Sequence, residues 1–170
     1  LAAGESVDII YTITVADGNT GTDTQDVTIT INGTNDAPVI TAGVVSGTIT
    51  EGSTLNQIGS IDFADLDLTD TPTASEVTFS VAPAGSLVLS GAQQTALEDA
   101  FTISPDAGND NNGTINWDYT ITEGELDFLA AGESVDIIYT ITVADGNTGT
   151  DTQDVTITIN GTNDAPVITA

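Results

Sequence analysis

The 170-residue chain carries 26 aspartates and glutamates, no lysine, arginine, histidine or cysteine, and a formal charge of −26 at pH 7. That balance excludes salt bridges between side chains, disulfides, thiolate or imidazole metal sites, and the Lys and Arg that nucleic acid or an anionic membrane requires. It leaves a fold that repels itself unless cations from solution reduce the charge, and a supply of hard oxygen ligands that suits calcium, which takes about 6–8 of them.

The first signal along the chain is a duplication. Residues 1–42 recur without a substitution at 129–170, an offset of 128 residues. The period exceeds the roughly 20–50 residues of solenoid units and matches a self-sufficient domain. The organisation expected is one complete repeat at 37–164. Residues 1–36 are then the C-terminal hairpin of a preceding identical repeat, and residues 165–170 begin the next.

Within 37–164, strands are expected at 44–50, 58–64, 76–82, 86–90, 101–104 and 113–121, with short helical turns at 92–100 and 124–132. Two stronger strands follow at 134–145 and 151–162, joined by the turn-forming GNTGT. In the last of them Val155, Ile157 and Ile159 alternate with Thr156, Thr158 and Asn160, the period of a half-buried strand. Several short strands with frequent turn signals predict an all-β, antiparallel sandwich, with Phe79, Trp117 and Tyr119 in its core. The many threonines read as solvent-facing strand formers, because an ice-binding solenoid would need a much shorter repeat. No run approaches the roughly 20 apolar residues of a membrane span.

The acidic residues gather in TEGS (50–53), FADLDLTD (63–70), VADGNTGTD (143–151) and the junction NGTNDAP at 32–38 and 160–166. Asp65 and Asp67 lie two apart, so on an extended strand both carboxylates point the same way, which is unfavourable unless a metal lies between them or both face water. Pro38 stiffens the stretch that carries Asn35 and Asp36. The loop 145–151, with Asp145, Asn147, Gly149 and Asp151 at alternate positions, and the loop 105–113 are rival calcium loops.

The order TEGSTLNQIGSIDFADLD, VADG, VTITINGTNDAPV resembles the cadherin-like repeats of bacterial surface proteins, and most closely the VCBS-type repeats of giant type I secreted RTX adhesins. The resemblance implies an Ig/cadherin-like sandwich that binds calcium at the junction with its neighbour. It assigns Asp65 and Asp67 to the D-x-D motif, Asp145 to A-x-D-x-G, and Glu51 to the glutamate near the first strand. Asn35 and Asp36, with their copies Asn163 and Asp164, become the linker ligands. The cadherin Leu-Asp-Arg-Glu motif is absent, Leu126, Asp127 and Phe128 being the nearest match. The implied function is a calcium-rigidified, non-enzymatic extender repeat of an extracellular adhesin in surface attachment or biofilm formation, with identical repeats as its partners. The alternatives are a calcium-dependent glycan-binding module and a glycosidase built on Glu123 and Glu125.

Overall fold

A computed structural model describes residues 1–166 and 168, and of residue 42 the backbone alone. The last part of the expected next repeat, residues 167, 169 and 170, lies outside the described residues.

The chain opens with a hairpin in which β1 (Ser6–Ala16) and β2 (Thr22–Asn32) pair from Ser6↔Asn32 to Ala16↔Thr22 without a bulge. The body follows with β3 (Val39–Gly43), β4 (Ser46–Thr50), β5 (Asn56–Ala64), β6 (Thr73–Pro83), helix α1 (Gly91–Glu98), β7 (Phe101–Pro105) and β8 (Asn112–Thr120). A 3-10 turn at Glu123–Glu125, β9 (Ser134–Ala144) and β10 (Thr150–Asn160) complete it. One sheet has the order β4-β10-β9-β6 and the other β3-β5-β8-β7. All pairs are antiparallel except β4 with β10, which run parallel. The body is an all-β sandwich of two four-stranded sheets, as the strand pattern predicts.

Alternation builds its core. Ile61, Phe63, Ile115, Trp117 and Tyr119 face inward from one sheet, and Val135, Ile137, Tyr139, Ile141, Val143, Val155, Ile157 and Ile159 from the other, all buried. Trp117 lies across its strand partner Gly59, where any Cβ would collide with the indole, and its ring N–H donates to the Val44 carbonyl at 2.8 Å. Phe101 stacks on Tyr139 with ring centroids 4.1 Å apart. The hydroxyls of Tyr119 and Tyr139 both donate to the Leu97 carbonyl, at 3.2 and 2.7 Å, so two buried phenols are satisfied by the end of α1. Ser90 and Gln93 close the other end of that helix as a capping box.

Three expectations need correction. Phe79 is 70% exposed, because β6 slips register against β9 between Thr78 and Ser80 and the extra residue turns outward. Residues 86–90 alternate as a strand does, with Leu87 and Leu89 packed against the core, but they pair with nothing and lead into α1. Strand β3, on a stretch where no strand was expected, pairs with β5.

The hairpin 6–32 and its copy β9–β10 form a comparison within one molecule. Both have the same register, both hold the same cross-strand hydrogen bonds (Thr12 to Asp26 and Thr140 to Asp154, each 2.7 Å), and both place the loop threonine at positive φ, 81° at Thr20 and 83° at Thr148. Local sequence therefore sets the hairpin. Burial is what differs: Tyr139 is fully buried, and its counterpart Tyr11 is 55% exposed.

Candidate metal centre

The alternation of β5 continues past its end with reversed polarity. Asp65 and Asp67 turn inward and are buried, while Leu66 and Leu68 turn outward at 76% and 80% exposure. A turn closed by the Asp70 amide on the Asp67 carbonyl (3.1 Å) brings a third buried carboxylate, Asp70, back to them. The three offer oxygens that all lie within 4.8 Å of one another. Asn111 holds the loop, donating from its side chain to the Asp65 carbonyl at 2.8 Å and accepting the Asp65 amide at 2.7 Å.

Two other stretches meet this loop. From the β9–β10 turn, Asp145 Oδ1 accepts the amides of Asn147 (2.6 Å) and Gly149 (3.0 Å), and the Asn147 side chain reaches Asp70 at 3.2 Å. From the linker, the Asn35 side chain donates to Asp145 Oδ2 and the Asp36 amide to Asp67 Oδ2, each at 2.8 Å. The five residues expected at this junction, Asn35, Asp36, Asp65, Asp67 and Asp145, are therefore brought together. Asp70 joins them unforeseen, and Asn147, expected only as part of the rival loop 145–151, joins them too. The signals for these two were the spacing D-x-D-x-x-D and the Asn that follows ADG.

Three buried oxygens at this end, Asn35 Oδ1, Asp65 Oδ2 and Asp67 Oδ1, have no hydrogen-bond partner. The chain's one cationic group, the N-terminal ammonium, stands 3.7 Å from Asp67 Oδ1. Burial pushes the Asp65 carboxyl above its ordinary range; the Asp67 amide offsets part of this, and the charges of Asp70, Asp67 and Asp145 add to it. Burial acts on Asp145 in the same direction, but hydrogen bonds from Asn35, Asn147 and Gly149 outweigh it and hold that carboxyl below its ordinary value. The donor set is entirely oxygen, it is buried, and one ammonium is the whole of its counter-charge, so these residues fit a hard cation.

A second group lies at the opposite end of the sandwich. Glu51 is buried, its Oε2 accepts the Thr162 amide at 2.6 Å, and its Oε1 has no partner. Glu123 accepts the neighbouring Gly52 amide at 3.0 Å. Asn163 and Asp164 follow Thr162 and are exposed. Asp127 stands exposed beside a groove between α1 and the 3-10 turn, with no hydrogen bond to Glu51.

The remaining polar residues of the two rival loops are taken up by backbone amides. Asp151 Oδ2 accepts the Ile40 amide (2.8 Å) and its Oδ1 the Thr152 amide (2.8 Å), while Asn109 and Asp110 hold the amides of Thr114 and Asn112. Glu125, one of the two carboxylates of the glycosidase reading, accepts both the amide and the hydroxyl of Thr122, which hold its carboxyl low.

The sequence matches no protein-family model, and no curated protein matches it. Among solved structures the chain is similar to the ASH / PapD-like domain of human CEP192 (PapD-like domain 7), with TM-score 0.45 and 11% identity over 77% of this chain and 89% of that one. It is also similar to AggA, the major subunit of aggregative adherence fimbriae type I from Escherichia coli, with TM-score 0.37 and 11% identity over 75% of this chain and 97% of that one.

Proposed function

We propose that residues 37–164 are a calcium-binding spacer repeat, and that calcium at the two ends rigidifies an array of such repeats in a large extracellular bacterial adhesin. The observation that carries this reading is the set of buried, partnerless carboxylate oxygens on Asp65, Asp67 and Glu51 in a chain with no basic side chain. Buried anions persist only when paired or metal-bound, and the chain offers these no basic side chain, only the terminal ammonium 3.7 Å from Asp67 Oδ1. Asp65, Asp67 and Asp70 would hold the ion at one end, with Asn35 Oδ1 reaching it from the linker. Glu51, Glu123 and the following Asn163 and Asp164 would contribute at the other. Bound calcium supplies the missing positive charge and joins ligands from separate stretches of chain.

The linker's part is geometric. Residues 35 and 36 are already tied to Asp145 and Asp67, so an ion shared with them fixes the direction in which the chain arrives. The exact duplication supports assigning residues 1–36 to a preceding copy and residues 165–170 to a following one, with identical repeats as the partners. Calcium is abundant outside cells and scarce inside them, so a repeat of this kind gains its rigidity after export. The resemblance to cadherin-like adhesin repeats supports the extracellular, non-enzymatic role.

Two measurements test the reading. Calorimetric calcium affinity should fall roughly 10–100-fold in Asp67→Ala and Asp145→Ala, the usual loss when a ligand or its support is removed. It should stay unchanged in Asp8→Ala, whose exposed carboxylate only accepts the Thr30 hydroxyl. Equal affinities in all three variants would relocate the site. Small-angle scattering of three or more complete repeats should show the maximum dimension lengthening and the distance distribution narrowing when calcium is added. An unchanged profile would leave a flexible spacer as the better description.

A further inference from the structure

The tripeptide Asn-Gly-Thr occurs three times, at 32–34, 112–114 and 160–162. Asn-x-Thr is the pattern that accepts an N-linked sugar, and it serves only where a transferase can reach the asparagine carboxamide. The fold treats the last two copies differently. Asn160 ends β10, half-buried between Ser134 of β9 and Thr50 of β4, with its carboxamide directed at the Ile49 carbonyl at 3.5 Å. The Gly161 amide donates to the Glu133 carbonyl, and the Thr162 amide and hydroxyl both donate to the buried Glu51 carboxylate. All three residues of that copy are engaged.

Asn112 opens β8 at the Asp65 end of the sandwich and is exposed. Its backbone is fixed, the amide donating to Asp110 Oδ1 at 2.9 Å and the carbonyl accepting the Asp110 amide at 3.1 Å. Its carboxamide makes no hydrogen bond among the described residues. The neighbouring asparagines are all in use. Asn109 accepts the Thr114 amide at 3.1 Å and donates to the Thr114 carbonyl at 2.9 Å, the buried Asn111 side chain donates to the Asp65 carbonyl, and Asn116 donates to Asp106. Packing also accounts for Gly113, where a Cβ would collide with the Asn109 side chain. Asn112 is thus the asparagine of this loop whose side chain the fold leaves free. The Thr114 hydroxyl donates to Asp62 Oδ1 at 2.8 Å, so a transferase engages it by replacing a single acceptor.

We propose that Asn112 is a modification site at which the folded chain takes an N-linked sugar. The donor class is a nucleoside diphosphate sugar, presented by a separate transferase. Asn112 Nδ2 forms a bond to C1 of the sugar, the bond from C1 to the diphosphate oxygen breaks, the nucleoside diphosphate leaves, and one Nδ2 proton passes to a base of the transferase. The sugar then stands in solvent beside the Asp65 loop, while the Asn111 contacts that hold that loop stay in place on the buried side. The inference does not depend on calcium.

The test uses the full chain with UDP-glucose and a purified transferase that glucosylates Asn-x-Ser/Thr, occupancy being read by mass spectrometry of peptides cut at acidic residues. Sugar is expected on Asn112, with at least ~10-fold less on Asn160, which is reached only when the end of β10 opens locally. Asn32, exposed and in the same tripeptide as Asn160, is the internal control: sugar there shows that shielding rather than sequence protects Asn160. Asn112→Gln should abolish the modification at that position without moving the melting temperature. Thr114→Ser should keep it and Thr114→Val should abolish it. No sugar on Asn112, equal occupancy of Asn112 and Asn160, or modification that survives Thr114→Val would overturn the proposal.

Discussion

Millimolar calcium is expected to raise the melting temperature by roughly 5–10 °C over the chelated protein. An ion at ~100 times its dissociation constant stabilises the folded state by about 2.7 kcal/mol. For a domain of this size each kcal/mol moves the midpoint about 2–4 °C. Two effects contribute: the ion binds oxygens that the folded chain buries without partners, and it lowers the repulsion among 26 carboxylates. Only the first is specific. Sodium chloride at matched ionic strength screens the surface charge without satisfying Asp65 or Asp67, so it isolates the difference. Magnesium should stabilise less, because it demands a tight octahedron and gives up its water reluctantly. Coincident melting curves in EDTA and in calcium, both in background salt, would remove the basis for a metal centre.

The largest mutational contrast is expected between two copies of one residue. Tyr139→Ala removes a fully buried ring that stacks on Phe101 and ties β9 to the end of α1. Its cost should be about 3–5 kcal/mol. Tyr11→Ala changes the same residue in the same local sequence, but that side chain is 55% exposed, and the cost should stay within about 0.5 kcal/mol. Urea unfolding followed through Trp117 fluorescence reads both. Equal shifts in midpoint would mean that the first hairpin is packed against something as extensively as the second.

The regular strands were legible because their alternation is strong and their turns carry Gly, Asn and Asp; β9 and β10 show both signals. Three features were hidden for a common reason: they depend on what lies alongside. Nothing within 76–82 reveals that β6 bulges at Phe79, since the slip is relative to β9. The alternation of Leu87 and Leu89 reports packing, and pairing requires a partner that is absent there. Strand β3 is five residues next to a proline, too short to stand out until β5 lies beside it. The site divides similarly. Asp65 and Asp67 were visible as a pair because strand geometry alone puts them on one side. Asp70 needed a turn, and Asn147 needed the β9–β10 loop to meet that turn. Asp127 entered through motif similarity, whereas Glu123, nearby in sequence, is the carboxylate that the fold sets beside the Glu51–Gly52 turn.

The one parallel pairing in the body governs how the domain bears mechanical load. The chain enters at the Asp65–Asp145 end, runs through β3 and β4 toward the Glu51 end, and leaves from that same end along β10. Tension applied through the two linkers therefore draws β4 and β10 in opposite directions along their length. The five residue pairs from Thr156↔Ser46 to Asn160↔Thr50 lie across the pull and are loaded together. An antiparallel hairpin pulled from its open end yields one bond at a time, whereas this seam must slide as a unit. Forced unfolding follows the rate of crossing that barrier rather than equilibrium stability. A sandwich of modest thermodynamic stability can thus resist a brief tug along the chain, with β4, one of its shortest strands, as the element that sets its strength.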